Sequence, residues 1–173
     1  MLAYIFSHRA AGGADIVAYE AGLKRFHAAL AETKPAGFIT STSYRIPGGY
    51  SDWYLVKDSA ALDSLNDAAI TGSRSRPHDD VARAAIDGSG KLMALISGEL
   101  DLETGVEVGL SKPPGLAYSP FYESLRPWTS GPGVTLWKRM MVLGPPPEFC
   151  LVAQSPLELP AETNPQPRSR RRV

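Results

Sequence analysis

In the first part of the chain, hydrophobic residues are spaced first as in a β-strand and then as in an α-helix. Residues 2–9 are mainly apolar and would place Tyr4, Phe6 and His8 on one face of a first strand. Residues 16–32 carry one apolar stripe at helical spacing, preceded by an aspartate that can cap the first turn. This pattern predicts a strand followed by an amphipathic helix.

The next segments predict a hairpin, a helix and a strand. Residues 38–46 and 50–58 are rich in β-branched and aromatic side chains and are separated by a Pro-Gly-Gly turn, which favours a β-hairpin. A helix broken in the middle is predicted over residues 59–86, and a fourth strand over residues 91–99. The order β-α-β-β-α-β over residues 1–99 is the split β-α-β arrangement of ferredoxin-like proteins, an α+β fold with two helices on one face of an antiparallel sheet.

The later part of the chain is less regular. Residues 106–110 predict a short strand, and one or two helical turns are expected after Ser119, with Pro120 in the first helical position. Residues 133–143 alternate strongly and predict a strand, with residues 149–154 pairing back as a late hairpin. Additional C-terminal strands are therefore expected beyond the first unit.

We predict a single domain over residues 1–155, made of the β-α-β-β-α-β unit and an extension over residues 100–155. Residues 156–173 contain four prolines and little that could form a core, which predicts a disordered tail rich in proline and arginine. No internal repeat at a fixed period is present in the sequence.

Charge and cysteine content exclude several classes of protein. Eighteen basic residues balance eighteen acidic ones, so no overall field favours nucleic acid or an anionic membrane, and the arginines of the tail are expected to be solvated. The single cysteine, Cys150, excludes a disulfide within the chain and a zinc site built on several cysteines. No secretory signal and no apolar run of the roughly 18 residues that a membrane span needs is present, so a cytoplasmic protein is expected.

The order of elements in residues 1–99, with apolar side chains on both strand faces, resembles the dimeric α+β barrel superfamily. That group includes antibiotic-biosynthesis monooxygenase-like, EthD-like and NIPSNAP-like proteins. The resemblance implies a homodimer in which two sheets pack face to face, and a cavity between sheet and helices for a small apolar or aromatic ligand. The late strands would extend the sheet, swap into the partner or complete the barrel within one chain. Members include cofactor-independent oxygenases, haem-degrading enzymes, isomerases and proteins of no known activity, so the fold does not select a reaction.

The segment from Gly72 to Ala85 holds the first candidates for chemistry. Arg76 is predicted to cap a helix in which Pro77 is the first residue and His78 the second. Two aspartates follow, and the positive end of the helix dipole explains them. Arg76 and His78 have no such explanation: His78 is a candidate general base and Arg76 a candidate ligand for an anion, unless both are surface residues.

Four further residues complete the predicted site. His8 ends the first strand and is the second acid–base candidate, although a histidine bonded to backbone would occupy the same position. Trp53 and Tyr54 would form the wall of a pocket for a planar ligand, unless they are core or interface residues. Arg139 would stabilise an anion, unless it protects a solvent-facing edge strand.

No motif indicates a metal or a cofactor. The three histidines lie on separate elements without the spacing typical of metal ligands, and the glycine-rich loops of nucleotide-binding proteins are absent. Two hypotheses remain. One is a small-molecule-binding protein, either a cofactor-independent oxygenase or an isomerase if it is an enzyme. The other is a non-enzymatic dimeric module that uses the open face of its sheet.

Overall fold

The computed structural model describes residues 1–99, 101–103, 105–141 and 144–173. It is a mixed α+β structure. The described residues form eight strands, four α-helices and two short 3-10 helices: β1 Leu2–Ala10, α1 Ile16–Thr33, β2 Phe38–Ile46, β3 Gly49–Val56, α2 Ala61–Ile70, the 3-10 turn Gly72–Arg74, α3 Ser75–Ala82, β4 Ala85–Ser97, β5 Gly105–Leu110, α4 Tyr118–Thr129, β6 Thr135–Arg139, β7 Phe149–Ala153, the 3-10 turn Ala161–Thr163 and β8 Gln166–Arg172. Contacts divide the chain into unit 1, residues 1–92 with 172–173, and unit 2, residues 93–171.

In unit 1, β3 lies between β1 and β2, and both pairings are antiparallel. The register places His8 opposite Tyr50, Phe6 opposite Asp52, and Tyr4 opposite Tyr54. Paired residues point to the same side of a sheet, so these side chains share one face. That face is the one that carries the helices.

Helix α1 begins and packs as its sequence predicts. The Asp15 side chain accepts hydrogen bonds from the backbone N–H groups of Val17 and Ala18, which satisfies two of the free donors of the first turn. The stripe is buried from Tyr19 to Leu30, whereas Ile16, its predicted first member, is 41% exposed. The buried stripe lies against the face of the sheet that holds Tyr50.

The broken second helix is confirmed, but its boundaries differ from the prediction. Helix α3 begins at Ser75 after a 3-10 turn, so Arg76 is not the cap and His78 is the fourth helical residue. Strand β4 begins at Ala85, six residues earlier than predicted. The strand was predicted to begin only after Asp87–Gly90, because two glycines in four residues are typical of a turn and glycine is depleted in strands.

In unit 2, the antiparallel pairings give the strand order β6-β7-β5-β8, and residues 93–97 of β4 pair with β6. Helix α4 packs on one face of these strands, where Phe121 and Leu125 lie in a buried apolar cluster with Val108 and Leu110. The helix begins at Tyr118, one residue before the predicted cap Ser119. The late hairpin of β6 and β7 is confirmed, with β6 ending at Arg139. Residues 142 and 143 of the predicted strand lie outside the described residues.

The prediction of a disordered tail is wrong for residues 166–172, which form β8 and pair with β5. The pairing places Arg168 opposite Glu107, and the Arg168 side chain donates two hydrogen bonds to Oε2 of Glu107, at 2.9 and 2.6 Å. Glu107 is 1% exposed, so it requires this charged partner. The ion pair explains why a sequence rich in arginine forms an ordered strand.

The two units share one element pattern. In unit 1 the order is β1-α1-β2-β3, with β1 and β2 both paired to β3. In unit 2 it is β5-α4-β6-β7, with β5 and β6 both paired to β7. The chain therefore contains a structural repeat that the sequence does not reveal. Among the described residues, no helix is both long and apolar enough to cross a membrane.

Candidate functional site

Unit 1 contains a cavity of about 400 Å³ between the helix-bearing face of its sheet and the three helices. Four aromatic side chains line much of it, namely Tyr4, Phe6, Phe26 and Tyr54. Aliphatic side chains of α1, α2 and α3 close the other side. Among the described residues that line this cavity, none is a lysine or an arginine. The cavity therefore suits an apolar molecule that carries no negative charge.

One carboxylate, Asp52, lies at the inner end of this cavity. It is 3% exposed, and its Oδ1 accepts a hydrogen bond from the Ser43 hydroxyl at 2.5 Å. Its Oδ2 lies 3.1 Å from Nε2 of His8 and 3.4 Å from the hydroxyl of Tyr54. A buried carboxylate is stable only when it is hydrogen-bonded in this way.

His8 connects Asp52 to Tyr19. Nδ1 of His8 lies 2.7 Å from the hydroxyl of Tyr19, which is 5% exposed. The imidazole is stacked on Tyr50, with ring centroids 5.5 Å apart. If Tyr19 donates to Nδ1, then Nε2 carries the proton that Asp52 accepts, an assignment that follows from the hydrogen-bonding pattern. The result is a chain of three polar groups that is held in place by aromatic packing.

A second histidine lies beside Asp52. Nδ1 of His27 lies 2.7 Å from the Ser41 hydroxyl, and its Nε2 lies 3.9 Å from Oδ1 of Asp52. That distance is an ion-pair contact and is too long for a hydrogen bond. Nε2 of His27 is buried and has no hydrogen-bond partner among the described residues.

The surroundings shift the pKa values of Asp52, Tyr19 and Tyr54. Burial alone would raise the pKa of Asp52, but His27 and His8 beside it lower the pKa well below its ordinary value, so Asp52 is ionised. Burial, and then the charge of Asp52, raises the pKa of Tyr19. The same two causes raise the pKa of Tyr54, so both phenols stay protonated at neutral pH. The cavity therefore contains an anionic acceptor beside a hydroxyl donor.

His78 lies at the rim of the cavity. Its side chain is 33% exposed, and its Nδ1 is 3.2 Å from Oδ1 of Asp79. The ring packs against Phe26 at a centroid distance of 5.5 Å. His78 and His8 both line the cavity, as does Tyr54.

The other three predicted site residues do not line it. Arg76 is exposed on α3. Trp53 is 1% exposed and points to the opposite face of β3, because consecutive residues of a strand alternate. Arg139 belongs to unit 2, where it donates hydrogen bonds to the backbone carbonyls of Pro145 and Gly144 at 2.5 and 2.9 Å.

Sequence reasoning missed Asp52 and Tyr19. Asp52 was a recognisable candidate, because a carboxylate inside an aromatic strand must have partners if that strand is buried. Tyr19 was assigned only to the apolar stripe of α1, and nothing in the sequence separates its hydroxyl from the others. Among the described residues, no group of three or more His, Cys, Asp or Glu side chains could hold a metal ion.

Comparison with known proteins identifies structures of similar fold but assigns the chain to no family. No protein-family model matches the chain, and no curated protein matches it.

Several solved structures resemble this one. A candidate monooxygenase from Lactobacillus acidophilus NCFM matches with a TM-score of 0.65 and 12% identity, over 99% of this chain and 93% of that one. A candidate chlorite dismutase matches with a TM-score of 0.62 and 14% identity, over 99% and 94%. A point mutant of chlorite dismutase from Candidatus Nitrospira defluvii matches with a TM-score of 0.50 and 9% identity, over 87% and 75%. At 12% and 14% identity this likeness shows a shared fold, and it confirms at the level of topology the resemblance seen in the order of elements.

Proposed function

We propose that the cavity of unit 1 binds a small, uncharged, mainly aromatic molecule and that Asp52 accepts a proton from it. One observation carries this proposal: a buried, ionised carboxylate lies at the inner end of a mainly apolar cavity and is hydrogen-bonded to a histidine. Groups with strongly perturbed pKa values in a concave apolar site are typical of functional sites.

The charge of the ligand follows from the cavity lining. An anionic ligand would meet the charge of Asp52 in a site of low dielectric, without an arginine or lysine in the lining to compensate. An ammonium group has three donors, and Asp52 already accepts hydrogen bonds from His8 and Ser43. An uncharged molecule with one acidic O–H or C–H group needs only one remaining acceptor site.

The chemistry that this geometry supports is proton abstraction. The ligand proton would pass to a carboxylate oxygen of Asp52, and the electron pair would stay on the ligand as an enolate or phenolate. The Tyr54 hydroxyl, whose raised pKa keeps it a donor, would hydrogen-bond to the new anion. His8 would hold the carboxylate in position, and Tyr19 would hold His8.

Proton abstraction is the first step of both reaction classes considered for this fold. In an isomerase the proton returns to a different carbon of the same molecule. In a cofactor-independent oxygenase the carbanion reduces molecular oxygen, which would be the co-reactant. The solved structure named as a candidate monooxygenase supports the second class by analogy of fold alone.

A dimeric interaction module is the second candidate function. Exposed apolar side chains such as Ile70 and Met141 would favour a homodimer where they form a contiguous patch. Against the module, three of the four strand residues that an open sheet face would expose, Trp53, Leu55 and Met93, are 2% exposed or less within the single chain, and the fourth, Leu95, is half-buried. Multi-angle light scattering tests the homodimer independently of any ligand.

Calorimetric titration with 2-naphthol and 2-naphthoate tests the proposed site, because the two probes share their rings and differ in charge. The proposal predicts saturable binding of 2-naphthol, with 2-naphthoate weaker by at least about tenfold. Equal or tighter binding of 2-naphthoate would exclude an uncharged ligand. Failure of both probes to bind would favour the interaction module.

A further inference from the structure

Two glycines of β4 lie directly against the aromatic wall of the cavity. A Cβ atom at Gly88 would lie 2.6 Å from Cζ of the Phe6 ring, and one at Gly90 would lie 2.7 Å from Cε2 of the Tyr4 ring. Both distances are far below van der Waals contact between carbon atoms. The two rings therefore occupy the space that side chains would fill at these positions of the strand.

Backbone conformation does not explain these glycines. Gly13, Gly37 and Gly48 have positive φ angles, which disfavour other residues, whereas Gly88 and Gly90 do not. Glycine in the middle of a strand marks a bulge, a bend or the close approach of another group, and the rings of Phe6 and Tyr4 make that close approach here.

The rings of Tyr4 and Phe6 form one side of the cavity. They stack with centroids 6.5 Å apart, and Phe6 stacks on His8 at 5.4 Å, so the three rings form a continuous row along β1. All three line the cavity. A methyl group at either glycine would press the row from the side of β4, and the cavity is one of the spaces into which these half-buried rings would move.

We infer that Gly88 and Gly90 set the width of the cavity and so determine the largest ligand that it accepts. This inference rests on the proposed function, since it concerns the specificity of the same site. Neither glycine touches the ligand; each acts through the ring that lies against it. Strands β1 and β4 thereby limit the size of the ligand without making a polar contact to it.

Alanine substitution with a series of probes tests the inference. We compare phenol and 9-phenanthrol on Gly88→Ala, Gly90→Ala and the control Gly12→Ala, because a Cβ at Gly12 meets no atom within 4 Å. Gly88→Ala and Gly90→Ala should each lower the affinity for 9-phenanthrol by at least about tenfold, because one methylene in an apolar pocket discriminates to this extent. The affinity for phenol should change by less than about twofold. Gly12→Ala should match the wild type for both probes.

A reciprocal variant covers the case in which alanine disturbs folding. Tyr4→Leu removes the ring that the methyl at residue 90 displaces, so Gly90→Ala should change the affinity ratio of 9-phenanthrol to phenol by less than about twofold in the Tyr4→Leu background. Folded Gly88→Ala and Gly90→Ala proteins that bind both probes as the wild type does would overturn the inference, as would a loss of 9-phenanthrol affinity on Gly90→Ala that is as large in the Tyr4→Leu background as in the wild type. A wild-type protein that binds neither probe would instead contradict the proposed function.

Discussion

Nε2 of His8 lies 3.1 Å from Oδ2 of Asp52, across neighbouring strands and inside the core of unit 1. The two residues are 3% exposed. They are diagonal neighbours across the strand pair, since His8 pairs with Tyr50 and Asp52 pairs with Phe6. The register of β1 and β3 thus brings this histidine and carboxylate together, and no loop is needed to position them.

Replacing Asp52 with asparagine should destabilise the protein in a pH-dependent way. The amide cannot accept from His8 and Ser43 as the carboxylate does, which should lower the free energy of unfolding by about 1–3 kcal/mol at pH 7. The pKa of Asp52 in the folded protein lies below its ordinary value of 3.8, so its charge contributes stability above pH 3.8, and this contribution is lost as the pH falls through the folded pKa. Urea unfolding of the two proteins between pH 7 and pH 3 measures the difference.

The matched control for this experiment is Asp79→Asn, because Asp79 is exposed beside His78. It should change stability by less than about 0.5 kcal/mol. A difference between wild type and Asp52→Asn that stays constant to pH 3 would contradict a lowered pKa for Asp52.

Tyr19→Phe should destabilise the hydrogen-bonded chain of Asp52, His8 and Tyr19 at its Tyr19 end. The change removes the hydroxyl that hydrogen-bonds to Nδ1 of His8 and leaves that buried nitrogen without this partner, at a cost of about 1–3 kcal/mol. Nitrogen NMR of the His8 ring should report an altered tautomer balance. Tyr122→Phe, in unit 2, is the control and should leave both readouts unchanged. An unaltered His8 spectrum in Tyr19→Phe would show that the hydrogen bond does not fix the tautomer.

His78→Ala tests whether the proton is removed at the rim of the cavity, by His78, or at its inner end, by Asp52. The side chain is one-third exposed, so stability should change by less than about 0.5 kcal/mol. Proton abstraction should persist, because Asp52 is the proposed acceptor, and affinity for 2-naphthol should fall by less than about tenfold. Loss of proton abstraction with intact stability would instead make His78 the base that the sequence first suggested.

Arg168→Met tests whether the C-terminal strand is structural. Without Arg168, the buried Glu107 loses its closest cation and keeps Arg170, 3.9 Å away, so the expected loss of stability is about 1–3 kcal/mol. Arg171→Met is the control, because Arg171 is exposed on the same strand. Thermal unfolding distinguishes the two, since a disordered tail would make both variants equal to the wild type.

Local patterns predicted much of unit 1. The apolar stripe of α1 with its aspartate cap, and the hairpin of β2 and β3, depend on residues near one another in sequence, so periodicity and turn chemistry are sufficient to predict them. Strand β8 was missed because its partner Glu107 lies 61 residues away, and without that partner three arginines in a row indicate solvent exposure. Charge patterns alone do not reveal a long-range ion pair.

The candidate site likewise depends on contacts between distant residues, which the sequence does not reveal. The cavity is lined by His8, His78 and Tyr54, which the sequence offered as candidates because each is an acid–base or aromatic residue on a strand or near a helix start. Their roles stay predictions. Arg139 was assigned to an anion, whereas it binds backbone carbonyls of the loop that follows it. Asp52 was missed because its role depends on two histidines from other elements, which only the fold brings together.

Hydrogen–deuterium exchange of 2-tetralone is the most direct test of proton abstraction by Asp52. This uncharged bicyclic ketone has acidic C–H groups beside a carbonyl that Tyr54 can hydrogen-bond, and proton NMR in deuterium oxide follows the loss of the C1 signal. The wild type and Asp79→Asn should accelerate exchange over buffer, and Asp52→Asn should lose at least about a hundredfold of that acceleration. Acceleration by Asp52→Asn equal to that of the wild type would contradict the assignment of Asp52 as the base.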